Sequence, residues 1–128
     1  MQDKKVLHLE WLKFAETDLS AARELFEKGD AYLKIVIFLS QQGCEKAIKA
    51  CLIKLEIRHR KIHDLHSLLA LLEDQTFFSS KLYDAIDIFE KFYVEIRYPD
   101  ADVFPTREEA GLALSKTEFI INFIKENI

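Results

Sequence analysis

An all-α, antiparallel up-and-down bundle of four long helices plus one short helix is the fold class this sequence predicts, and three observations predict it. Only three Gly and two Pro stand in 128 residues, too little turn material for an all-β sandwich or barrel, which uses those residues at nearly every corner. Apolar residues recur at alternating steps of three and four, the period of one helical face. Capping residues (Gly29, Asp64, Thr106 with Glu109) fall where those runs begin or end.

The first helix is expected over 9–27, with Leu12, Ala15, Leu19, Ala22 and Phe26 on one face and Gly29 free to take the left-handed cap conformation. A second helix, over 31–56, is apolar nearly all round in its first turns (Tyr32 to Leu39), as a helix covered on several sides would be. Gly43 in its middle costs about 1 kcal/mol relative to Ala and marks a close helix crossing. Asp64 caps a short third helix over 64–73 carrying Leu65, Leu68, Leu69 and Leu72. The fourth, over 81–97, places Leu82, Ala85, Ile86, Phe89, Tyr93 and Ile96 together and ends before Pro99, which disfavours helical geometry at Tyr98. Thr106 and Glu109 form a capping box for the fifth, over 106–126, with Leu114, Thr117, Ile121 and Ile124 inward. Leu12, Leu19, Phe38, Leu69, Phe89 and Ile121 are the expected core.

At 128 residues, with 49% hydrophobic and 31% charged, residues 1–128 are expected to form a single globular domain. The longest wholly apolar run, Ile35 to Leu39, is far short of the roughly 20 residues of a membrane helix. The N-terminus has no apolar stretch followed by a small-residue cleavage site, so a cytoplasmic protein is expected, without a membrane partner. Cys44 and Cys51, seven apart on one helical stripe, are about 10 Å apart at 1.5 Å rise per residue and cannot pair within that helix. Buried, reduced thiols are expected.

The net charge is −4 but unevenly spread. Residues 46–63 carry Lys46, Lys49, Lys54, Arg58, Arg60 and Lys61 against Glu56 alone, which gives that segment +5 and leaves −9 for the remainder. Such a basic patch suits an anionic partner, although cations also favour helix C-termini for their dipole.

On the second helix Gln42, Glu45 and Lys49 follow steps of three and four, flanked by Gln41 and Lys46. They form either a solvent stripe or a polar groove able to hold a ligand or partner helix. His59, His63 and His66 have helical spacing for a metal, but Asp64 starts a new helix among them, so no metal site and no cofactor are expected. Arg58 and His63 have the spacing of a phosphate clamp and a proton carrier. Arg97 in a last helical turn, followed by Tyr98, Pro99 and Asp100, offers either a guanidinium beside an aromatic face, suited to a phosphate and stacked base, or a helix cap.

Four sets of residues in order resemble the HEPN domain, named for higher eukaryotes and prokaryotes and for proposed nucleotide binding. They are Trp11, Ala15, Asp18 and Leu19; Gln41, Gln42, Glu45, Lys46, Lys49 and Ala50; Lys61, His63, Asp64 and Leu65; and Arg97, Tyr98, Pro99 and Asp100. The resemblance covers about residues 9–126. It implies a homodimeric helical bundle and, for stand-alone prokaryotic members, a separately encoded minimal nucleotidyltransferase as partner. It also implies, as the alternative, a metal-independent ribonuclease of the toxin–antitoxin type, using an Arg, four to six intervening residues and a His near the fourth-helix end. Arg97 matches that Arg, but residues 98–104 contain no His, so a protein not catalytic on its own is expected. Were it a ribonuclease, Arg97 and His63 are its candidate catalytic residues.

The expected ligand-binding set is thus Gln42, Glu45, Lys46, Lys49, His63, Arg97 and Tyr98. Glu45, Lys49, His63, Arg97 and Tyr98 are expected to converge on one groove that takes a nucleotide or RNA. Among fifteen aromatics, Phe77, Phe78, Tyr98 and Phe104 flank loops and are expected to supply part of a homodimer interface.

Overall fold

The computed structural model describes residues 4–92 and 104–128. These form five α-helices, α1 Lys4–Lys28, α2 Leu33–Lys54, α3 Leu65–Ala70, α4 Lys81–Glu90 and α5 Arg107–Asn127, with a short 3-10 turn at Asp30–Tyr32 before α2. The architecture is the antiparallel all-α bundle, and no strand occurs among the described residues. Tyr93, Ile96 and the predicted continuation of the fourth helix lie outside the described residues.

The Asp64 and Thr106 caps form as the sequence predicts, whereas Gly29 takes φ 130° and ψ 174°, a glycine conformation outside the left-handed helical cap. The Asp64 carboxylate accepts the Ser67 amide at the start of α3, and hydrogen bonds from Ser67 hold that carboxyl below its ordinary range. Thr106 and Glu109 exchange both bonds of the capping box at the start of α5. α1 begins about five residues earlier than expected, because the polar start of the chain carries no breaker.

α2 is the centre, packing on α1, α5, α3 and α4. A Cβ on Gly43 would lie 3.3 Å from the Ala15 carbonyl oxygen and 3.3 Å from Thr117 Cγ2. α1, α2 and α5 therefore approach most closely there, where the sequence places its mid-helix glycine. Thr117 spans the crossing, donating to the Ser40 and Ala113 carbonyls and contacting Cys44 Sγ at 3.3 Å. Cys44 and Cys51 are free and buried, and burial pushes both thiols up to about 12.

Three burial expectations need correction. Leu12, Leu19, Leu69, Phe89 and Ile121 are buried, but Phe38 is only half-buried, because Ile35, Phe38, Gln42 and Lys46 share the least buried stripe of α2. For the same reason the first turns of α2 are not covered all round: Tyr32 and Ile35 are exposed. Phe26 is also half-buried, its ring lying under the Arg107 guanidinium at 3.8 Å. Phe77 and Phe78 are partly buried against the core, in ring contact with Phe123 and Tyr83 respectively.

α2 ends in a Schellman motif: the Ile57 amide donates to the Leu52 carbonyl at 2.9 Å and the Glu56 amide to that of Ile53 at 3.1 Å. The residue at the left-handed position is Glu56, with φ 58°, where glycine is usual and a side chain costs about 1–2 kcal/mol. Glu56→Gly is therefore expected to raise the unfolding free energy by about 1 kcal/mol, read as a higher urea midpoint at unchanged slope.

Candidate functional site

The polar residues of α2 divide into two stripes. Gln41, Glu45 and Lys49, four apart, lie on a buried face, whereas Gln42 and Lys46 lie on the adjoining half-exposed one. Glu45 and Lys49 are each only 8% exposed, so the solvent-stripe reading fails for them. Lys46 leaves the group and bonds the Asp18 carboxylate of α1 at 2.6 Å.

Lys49 Nζ donates to Glu45 Oε2 at 3.0 Å. His63, from the loop between α2 and α3, brings Nδ1 within 3.2 Å of Lys49 Nζ and 3.4 Å of Glu45 Oε2. The Trp11 ring of α1 lies 6.0 Å from Lys49 Nζ on the other side. A carboxylate and an ammonium can stand this deep because they neutralise one another and share hydrogen bonds. The His63 side chain is 64% exposed and covers the pair on its water side. Two proton arrangements fit it. A neutral ring accepts from Lys49 at Nδ1 and carries its proton on Nε2, whereas a ring protonated at Nδ1 donates to Glu45.

Toward α4 lies a pocket whose lining does not include Glu45, Lys49 or His63. It has a volume of about 290 Å³ and is walled by Gln41, one turn before Glu45, by Asp64 and His66 beyond His63, and by Ile86, Phe89 and Glu90 of α4. His66 Nε2 lies 3.4 Å from Asp87 Oδ1 and 3.7 Å from Glu90 Oε1, and its ring stacks on Tyr83. The ligand atoms of His66, Asp87 and Glu90 all lie within 4.8 Å of one another, but both acids are exposed, where carboxylates are solvated without a metal. His59, His63 and His66 do not form a trio: Nδ1 of His59 donates to the Ile57 carbonyl, His63 faces Glu45, and His66 faces α4. Arg58 does not join His63 either. It lines a separate pocket beside Leu7 and His8 at the foot of α2.

The structure thus brings together Glu45, Lys49 and His63 of the predicted set. Arg97 and Tyr98 lie outside the described residues. Sequence reasoning missed Gln41 as a wall of the pocket toward α4, although its four-residue spacing to Glu45 and Lys49 carries that signal. It also missed Trp11 as the cover of Lys49.

Removing one buried partner leaves the other uncompensated. Lys49→Met is expected to lower the unfolding free energy by about 3 kcal/mol, and the double variant Glu45→Leu/Lys49→Met to recover more than about 1 kcal/mol of that loss, both read from urea unfolding.

Comparison with known proteins gives a consistent picture. The family model described as the HEPN domain matches residues 8–128. The structure of TT1696 from Thermus thermophilus is similar at 28% identity and a TM-score of 0.82, over 94% of this chain and 98% of that one. That of ST0689, described as an archaeal HEPN homologue, is similar at 28% identity and a TM-score of 0.73, over 94% and 96%. A search of curated proteins found no match.

Proposed function

The chain belongs to the HEPN family, and on that premise we propose that it is a nucleotide- or substrate-binding accessory protein of a separately encoded minimal nucleotidyltransferase, with the groove over Glu45, Lys49 and His63 as its binding site. The observation that carries this reading is the buried Lys49–Glu45 pair capped by an exposed histidine. A lysine and a glutamate at 8% exposure contribute little net stability compared with apolar residues of the same size. Their retention on the central helix, beside an open pocket, fits a site that must recognise charge.

In this reading Arg97, seven positions after the pocket residue Glu90 in the chain, clamps a phosphate bidentately, Lys49 adds charge, Tyr98 offers a stacking face and His63 donates a hydrogen bond. The exposed His63 ring, held at Nδ1 by Glu45 and Lys49, favours one second reading, a metal-independent ribonuclease in which His63 carries a proton. Cleavage of RNA in the presence of a chelator, abolished by His63→Ala, would select it. The assembly in this proposal is a homodimer. Phe104, 74% exposed, is the loop aromatic that supports it.

Two outcomes are expected. Arg97→Ala weakens nucleotide or RNA binding by more than about tenfold, as loss of a charged hydrogen bond of about 1.5–3 kcal/mol does, while the melting temperature stays within a few degrees of the parent. Unfolding of that variant with unchanged binding per folded molecule would make Arg97 structural. Light scattering is expected to give twice the chain mass, and Phe104→Asp to shift the population toward monomer.

A further inference from the structure

The basic segment that the groove leaves unused surrounds a second pocket. It lies where the first turns of α1 meet the end of α2 and has a volume of about 850 Å³. Leu7, Ile53 and Ile57 form apolar walls, and Lys54, Arg58 and Arg60 stand around them, opposed among the lining acids only by Glu56. The Schellman turn at Glu56 and a second left-handed residue, Lys61 with φ 67°, bracket the loop that carries both arginines. His59, also in the lining, is fixed by its bond to the Ile57 carbonyl.

The wall on the α1 side includes His8. This imidazole is 6% exposed, and its Nδ1 is buried with no hydrogen-bond partner. Buried polar side-chain atoms nearly always find a partner. Burial and the nearby Lys54 charge both keep the ring toward its neutral form. Three cations against one acid around apolar walls is the arrangement expected where a ligand brings both negative charge and an apolar body.

We propose that this pocket binds a small phosphorylated ligand, with its phosphates on Arg58, Arg60 and Lys54 and its apolar or aromatic body on Leu7, Ile53 and Ile57, beside the His8 ring. The cations recognise phosphate by charge and, for the arginines, by the bidentate fork. The apolar walls select an ester with a body over the bare anion. The site is independent of the groove over Glu45 and Lys49, so either can fail alone.

The test uses the full chain with ADP and inorganic pyrophosphate as probes, by calorimetry and by NMR of the labelled histidine rings. ADP at about 1 mM is expected to bind more tightly than pyrophosphate and to move the ring signals of His8. Arg58→Ala/Arg60→Ala is expected to weaken ADP binding at this site at least tenfold. Both side chains are exposed, and circular dichroism would confirm that the variant folds. Arg97→Ala, which probes the groove, is expected to leave the His8 response in place. The proposal is overturned if neither probe moves the His8 signals, or if the double-arginine variant binds ADP as the parent does with an unchanged His8 response. It is also overturned if a single-stranded oligouridine displaces ADP and moves His8 at lower concentration, since the occupant would then be a nucleic-acid strand. ADP binding lost only in Arg97→Ala would overturn this site and support the groove.

Discussion

α2 packs on each of the other four helices, and it can be central only because its middle is small. At Gly43 the Ala15 carbonyl oxygen and the Thr117 methyl come to 3.3 Å from where a Cβ would stand. Packing at this density leaves no room for a side chain at position 43 between the α1 backbone and Thr117. The close crossing has a second consequence. A helix covered on most sides makes unpartnered charges on its covered face costly, and Glu45 and Lys49 there are paired with each other and with His63.

Ion pairing in that groove is better understood as specification than as stabilisation. Exposed pairs such as Lys125–Glu16 and Arg107–Asp30 contribute about 0–1 kcal/mol each, and Lys91–Glu109 joins the end of α4 to the start of α5 on similar terms. Lys49–Glu45 differs because both partners are desolvated. Slippage of α2 by one residue would carry the two charges into the apolar contacts now made by Cys44 and Ile48. The pair therefore penalises wrong registers of a helix that is otherwise apolar enough to pack in several.

How much was legible in the sequence follows from the same geometry. Helix existence, the Asp64 cap, the Thr106 and Glu109 box and the crossing at Gly43 are local signals, set by residues a few positions apart, and they read correctly. Burial around α2 did not, since an almost wholly apolar run cannot say which stripe its neighbours will leave open. Phe38 and Ile35 fell on that stripe. Phe77 and Phe78 looked surplus because their partners, Phe123 and Tyr83, are supplied by tertiary structure. For the site, the three-and-four spacing linked Gln42, Glu45 and Lys49, whereas the four-residue spacing of Gln41, Glu45 and Lys49 is the one that burial selects. His63 joined them because the loop after α2 is short and returns along the same face. His8 gave no signal, since a single histidine near a chain start is neutral in any pattern and only the packing of α1 on Ile53 and Lys54 isolates its ring.

Fold and function separate within this chain along a physical boundary. At 28% identity the similarity to TT1696 still covers 94% of the chain at a TM-score of 0.82, which small and aliphatic contacts on α1, α2 and α5 can sustain through many conservative exchanges. A helical bundle of this kind fixes no chemistry by itself. What it fixes is where the segments between helices emerge. The connection between α2 and α3 contains Arg58, His59, Arg60, Lys61 and His63 in six positions, on a backbone with left-handed residues at Glu56 and Lys61 that the core does not require. Strain of that kind persists only where the surroundings over-determine it. Here the surroundings are the end of the central α2 and the Asp64 cap of α3, so the charged loop is anchored at both ends. A charged loop held in one conformation loses little conformational entropy when it meets an anion, and that is the physical sense in which the central helix serves recognition as well as folding.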